Sequence, residues 1–196
     1  MAVYALTGDL SSGKSTILTL LKNKGAIVFD IDEKIHECYK EKQGIVYKNV
    51  INSFPEVLAD GEINRKKLGD VVFNDLSELK VLEDIVHPFV LEEMFRWIES
   101  VKSINKVCVA EVPLLFEKGL MGYFEDIILV TVKQEELIQR IIKKYNLSKE
   151  QVLDRLALYL PVEEKKEKTS FIIDNSFDFE ILEKEVNLLW QKITIN

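Results

Sequence analysis

The chain has 196 residues, 47% hydrophobic and 30% charged, a size and mixture that suit one soluble core with small inserted parts. A net charge of −7 argues against broad electrostatic binding to nucleic acid, which needs a basic surface, while leaving room for a local basic pocket. The two cysteines, Cys38 and Cys108, have no metal-type spacing and give no disulfide framework. No signal peptide is recognised, and no apolar run reaches the ~18 residues of a membrane span, so the expected setting is the cytoplasm, away from membranes.

Val3 to Thr7 is a short apolar run, as a buried parallel strand should be. It leads into Gly8-Asp9-Leu10-Ser11-Ser12-Gly13-Lys14-Ser15-Thr16, which completes the Gly-x-x-x-x-Gly-Lys-Ser/Thr pattern of a P-loop. The residue types fit the chemistry. Gly8 and Gly13 let the backbone turn so that successive N–H groups face a triphosphate, with Ser11, Ser12 and Thr16 completing the cradle. Lys14 brings a compact charge to the β and γ phosphates, and Ser15 offers a hydroxyl to Mg²⁺. The helix expected over Ser15 to Lys24 presents its positive end to the same anion. A nucleoside triphosphate and Mg²⁺ are therefore expected at this loop, and the resemblance described below implies that the nucleotide is ATP.

Ala26 to Asp32 reads as a second strand, making a βαβ unit and hence a parallel sheet. Asp30 and Asp32 would then point to one side of an extended chain, at the rim where α/β proteins bind ligands. One could orient or deprotonate an acceptor hydroxyl while the other arranges water or magnesium. The alternative is a pair of solvated acids that begin the next helix.

From Glu33 to Ser103 the spacing is mostly helical. Ile45 to Phe54 ends at Pro55, Asp60-Gly61 marks a turn, and Arg65 opens another helix. Leu76 to Val86 is expected to break at His87-Pro88 and resume from Phe89 to Ser103, because the residue before proline disfavours helical geometry. Lys106 to Val112 returns to strand and ends at Glu111, where P-loop enzymes place an acid near magnesium. Cys108 lies in this apolar run and reads as a small buried hydrophobe. Asp126 to Val132 is a continuous β-branched strand, and Gln134 to Tyr145 a helix carrying Arg140, Lys143 and Lys144. Ser148 with Gln151 makes a capping box for a second helix bearing Arg155. This hairpin looks like the lid of a small phosphotransferase, with a solvated basic face as the alternative. Glu163 to Lys168 reads as exposed alternating charge. Phe171 to Ile173 is a last strand, Asp174-Asn175 leave its end, and Phe179 to Ile193 closes the chain as a helix.

The expected fold class is α/β: a three-layer P-loop NTPase fold with a mainly parallel sheet, a helical substrate-binding insertion and a helical lid. The expected core is 1–32, 104–136 and 162–196, the insertion 33–103, and the lid 137–161.

The P-loop, Asp30 and Asp32, Asp60-Gly61 with Ile63 and Arg65, Leu82-Glu83 leading to His87-Pro88, Pro113-Leu114-Leu115-Phe116-Glu117, Arg140 with Arg155, and Ile173-Asp174-Asn175 follow one another in an order that resembles the dephospho-coenzyme A kinase family. The resemblance implies transfer of the ATP γ-phosphoryl group to the 3′-hydroxyl of dephospho-coenzyme A. It makes Asp32 the acceptor-side base and gives Lys14, Arg140 and Mg²⁺ on Ser15 the transferring phosphate. Asp30 or Glu111 would reach the metal through water. Arg65, His87 and Leu115 would face the acceptor, and Asn175 the adenine. The sequence departs from the family at Asp9 and Ser11, where glycines are common, at Glu111 for Asp, at Lys144 for a lid arginine, at Tyr159 for glutamine and at Ser170 for Asp. Asp9 is expected to repel a triphosphate. A nucleoside or nucleotide kinase of the same class and a non-catalytic ATP-binding protein are the rival readings; a GTPase lacks its guanine-reading pattern.

Overall fold

A computed structural model describes residues 2–73 and 75–194. In chain order, β1 (Val3–Gly8) precedes the phosphate loop, α1 (Lys14–Asn23) and β2 (Ile27–Phe29). Next come α2 (Ile31–Lys40), α3 (Ile45–Ser53), the short strands β3 (Leu58–Ala59) and β4 (Glu62–Ile63), α4 (Arg65–Val72) and α5 (Leu76–Val101). The chain continues through β5 (Cys108–Glu111), β6 (Asp126–Thr131), α6 (Gln134–Tyr145), α7 (Lys149–Leu156), α8 (Val162–Lys166), β7 (Phe171–Asp174) and α9 (Phe179–Thr194). It divides into two units, Met1–Asp30 with Ser100–Asn196, and Ile31–Glu99. The second begins and ends a few residues earlier than the insertion expected over 33–103, and it takes Asp32 with it.

In the first unit the strands form a five-stranded sheet in the order β2-β5-β1-β6-β7, parallel throughout. β1 is central and buried at all six positions. Its neighbours lie on opposite sides, Leu6 beside Glu111 and Gly8 beside Val130. The loop after β1 therefore leaves the sheet where strand order reverses, the place an open α/β sheet holds a ligand. β1 and β2 are not neighbours, because β5 runs between them. The burial of Cys108 to Glu111 explains the order, since a wholly buried strand needs both edges paired, whereas the short, partly exposed β2 tolerates an edge. Helices α1 and α9 pack on the sheet through Ile17, Leu18, Leu21, Leu182, Val186 and Leu189. Burial of each such side chain contributes about 1.5–3 kcal/mol, which is what holds these helices in the α/β sandwich. In α6 and α7 a smaller core of Leu137, Ile138, Ile141, Leu147 and Val152 joins the two helices, and Ser148 and Gln151 make the capping box.

In the second unit, α2 starts at Ile31, so Asp30 and Asp32 do not share an extended strand. Asp32 and Glu33 sit in the first turn of α2, where carboxylates complement the helix dipole. The reading of Asp32 as an acid that begins the next helix describes the local structure. The turn at Asp60-Gly61 closes a two-residue hairpin between β3 and β4, with positive φ at both residues (50° and 74°). That is the geometry Asp-Gly supplies most readily. Helix α5 runs straight through the break expected at His87-Pro88. An internal proline costs about 3 kcal/mol. Val86, Val90, Met94 and Ile98 repeat every fourth residue along the helix and are all buried, and together they outweigh that cost.

Candidate active site

The phosphate loop is held open by backbone conformations that side chains resist. Gly8 has φ of 150° and Gly13 of 97°. A Cβ on Gly8 would run into the Val130 carbonyl, and one on Gly13 into the Asn175 amide. Ser11 takes a left-handed φ of 61° between them. Lys14 is buried at the start of α1, and its ammonium donates to the carbonyls of Gly8 (3.0 Å) and Asp9 (3.1 Å). The buried hydroxyls of Thr7, Ser11 and Ser12 lack a hydrogen-bond partner in the protein. Unsatisfied donors beside a buried lysine and a helix N-terminus are suited to a polyphosphate. Ser15 and Thr16, in the first turn of α1, are exposed.

The donor set for a metal lies at the ends of adjacent strands. Ser15 Oγ donates to Glu111 Oε2 at 3.4 Å, and Glu111 is buried at the end of β5. Phe29 pairs with Ala110, so Asp30 and Glu111 are the next residues along neighbouring strands. A hydroxyl and one or two carboxylates fit Mg²⁺, which takes few protein ligands and completes its shell with water and phosphate. Among the described residues no cluster of three or more His, Cys, Asp or Glu forms a full protein cage.

A brace behind the loop was not legible in the sequence. Asn175, buried just beyond β7, donates from Nδ2 to the Ser12 carbonyl at 2.8 Å. Its backbone N–H donates to Thr131 O, and its carbonyl accepts from Arg140 at 2.8 Å. Arg140 also pairs with Glu136 at 3.0 Å. The guanidinium of α6 is thus linked through Asn175 to the loop. Arg155 is buried in α7, and removal from water lowers its pKa. Lys143 and Lys144 lie on the exposed face of α6, as the solvated alternative expected.

Two expectations about charge are corrected. The Glu163 to Lys168 run is not uniformly exposed, because Lys165 is 1% exposed. Its ammonium lies 2.7 Å from Asp9 and 3.4 Å from Glu117. Asp9 therefore does not present a free carboxylate to a bound triphosphate. Leu115, expected to face the acceptor, is wholly buried in this conformation.

In the second unit Arg65, exposed at the start of α4, lines a cavity of about 100 Å³ with His36, Tyr39, Lys40, Lys42, Tyr47 and Glu62. Tyr47 Oη donates to the Gly61 carbonyl at 2.8 Å, which ties α3 to the hairpin turn. The Arg65 charge lowers the His36 pKa below 6.5. Burial is the main cause that raises Tyr39 to about 12, with Arg65 acting against it. Lys40, Lys42 and Arg65 make this cavity a candidate for an anionic ligand. A wider groove of about 580 Å³ along α5 has Asp84 and Glu92 in its lining and no basic group, which suits an anion poorly. Asp32 is exposed on the same helix as His36, while His87, half-buried within α5, lines neither cavity. The spacing of His36 and Lys40, one helical turn apart, was the available signal for this cluster. Nothing local marks Lys165.

Comparison with known proteins agrees with this geometry. The family model described as Dephospho-CoA kinase matches residues 2–180. A dephospho-CoA kinase of Aquifex aeolicus is 34% identical over 196 residues, covering 99% of this chain and 98% of the relative. One of Thermus thermophilus is 31% identical over 192 residues, covering 98% and 92%. A crystal structure of a Thermus thermophilus protein, 31% identical, superposes with a TM-score of 0.70 and 98% coverage of both chains. A shikimate kinase of Bacteroides thetaiotaomicron, 13% identical with a TM-score of 0.52 and 98% coverage of each chain, shares the fold alone. The match to the family over nearly the whole length is decisive: the chain belongs to the dephospho-CoA kinase family.

Proposed function

We infer that this chain transfers the γ-phosphoryl group of ATP to the ribose 3′-hydroxyl of dephospho-coenzyme A, giving coenzyme A and ADP, as a cytoplasmic enzyme that uses Mg²⁺. Family membership gives the ATP-dependent phosphorylation of dephospho-coenzyme A; the hydroxyl, the metal and the residue roles are our reading. The observation that carries the reading is the cradle, where Lys14 is buried among loop carbonyls and Ser15 contacts Glu111 at the strand ends. Neither the nucleotide-kinase nor the non-catalytic alternative gains support from the relatives.

On this reading the loop N–H groups and the Ser11 and Ser12 hydroxyls bind the phosphate chain. Lys14 moves from the Gly8 and Asp9 carbonyls to the β and γ phosphates, and Arg140 neutralises charge on the transferring group. Ser15 would hold the metal, with Glu111 or Asp30 acting through water; Mg²⁺ when bound would supply charge neutralisation to the phosphates. Asp32 orients the acceptor hydroxyl and takes its proton as the new P–O bond forms and the bond to ADP breaks. Arg65 and His87 face the acceptor, and Asn175 the adenine side. Proton–phosphorus correlation NMR of the product tests the assignment. A coupling to the ribose H3′ is expected, and phosphate on any other hydroxyl would contradict it.

A further inference from the structure

Asp9 lies inside the phosphate loop, where an uncompensated carboxylate would repel the triphosphate. Its Oδ1 instead accepts from Lys165 Nζ at 2.7 Å, and the same ammonium lies 3.4 Å from Glu117 Oε1. Lys165 is 1% exposed, and its ammonium sits 5.1 Å from the centre of the Tyr159 ring. Glu117 Oε1 also accepts from the Leu160 N–H at 3.0 Å. One buried cation thus joins the phosphate loop to the segment after β5 and to the connection between α7 and α8, all within the first unit. Asp9 faces the other way through its backbone, since its carbonyl accepts from Lys14 Nζ and from the Ser12 N–H.

We propose that Lys165 is a positioning residue for ATP binding: it neutralises Asp9 and holds the loop segment that carries it. The side chain touches no reacting atom; it acts through Asp9. The inference rests on ATP being the phosphate donor.

A double-mutant cycle on the full chain tests it, with the Mg-ATP Kd read by calorimetry at low and high salt and the KM for dephospho-coenzyme A read in parallel. Lys165→Met should weaken ATP about ten- to a hundredfold, as expected for one uncompensated charge near a polyanion at an effective dielectric of ~20. The loss should shrink at high salt, and the acceptor KM should hold within about threefold. In an Asp9→Asn background the same change should weaken ATP by no more than about threefold, because the repelling charge is gone. Equal losses in both backgrounds, or none in either, would overturn the proposal. If Lys165→Met does not fold, Lys165→Arg decides: with the charge retained, ATP affinity should stay within about threefold, and a tenfold loss would assign Lys165 to packing alone. ATP binding without phosphoryl transfer would defeat the kinase reading and leave this inference standing.

Discussion

Replacing Asn175 by alanine separates two roles that one side chain could serve. The change deletes the amide that donates to Ser12 O at 2.8 Å and leaves the backbone bonds to Thr131 and Arg140 in place. Stranding a buried carbonyl costs about 1–3 kcal/mol. If that cost falls on the loop geometry that ATP selects, affinity drops between about fivefold and about 160-fold, at 1.36 kcal/mol per tenfold. Any part that falls on folding lowers Tm by about 2–4 °C per kcal/mol for a chain of this size. The assay compares Kd for Mg-ATP with Kd for inorganic tripolyphosphate. A brace on the cradle weakens both ligands alike, because both use the loop. A side chain that reads adenine weakens ATP and spares tripolyphosphate. Unchanged affinity for both, with Tm reduced, would refute the brace and assign Asn175 to stability.

Asp32→Asn should lower kcat by about a hundredfold or more, in the range for loss of a general base, while the Mg-ATP Kd stays within about threefold; wild-type turnover would remove Asp32 from the reaction. Only two histidines occur, so the His36 imidazole can be followed by NMR titration. It should titrate below 6.5 and move upward in Arg65→Ala, since Arg65 is the first cause of its depression; an unmoved titration would contradict the cavity's charge arrangement. The sign for stability follows: the folded chain holds that proton less well than the unfolded one, so His36 leaves stability untouched well above pH 6.5 and reduces it as pH falls through and below that value. Burial raises Cys38 to about 11 and raises Cys108 as well. A thiol-specific reagent at pH 8 should therefore modify neither cysteine in folded protein, with about a thousandth of Cys38 as thiolate; prompt reaction before unfolding would refute this.

What the sequence made legible was local. The helix over Gln134–Tyr145 and the Ser148–Gln151 capping box follow from residues within a few positions of one another, and both stand as expected. The phosphate loop is similarly local, because glycine freedom and lysine charge are carried by residue type. What escaped was set by distant partners. The Ala26 to Asp32 run has strand composition, yet only Ile27–Phe29 find a neighbour to pair with, and Asp32 goes to a helix. Pro88 looked like a break until the buried stripe along α5 outweighed it. Asp9 looked repulsive because its partner Lys165 lies far along the chain, inside a run whose spacing reads as solvated. Asn175 was expected from the sequence on the adenine side, whereas its grip on Ser12 was not legible there.

Membership of the dephospho-CoA kinase family makes dephospho-coenzyme A the acceptor of this P-loop chain. Purified protein incubated with Mg-ATP and, in separate reactions, dephospho-coenzyme A, adenosine, AMP and CMP, with products read by mass spectrometry, tests it most directly. Dephospho-coenzyme A should gain one phosphoryl group and the other acceptors none. Transfer to a nucleoside monophosphate, with dephospho-coenzyme A left unmodified, would contradict it.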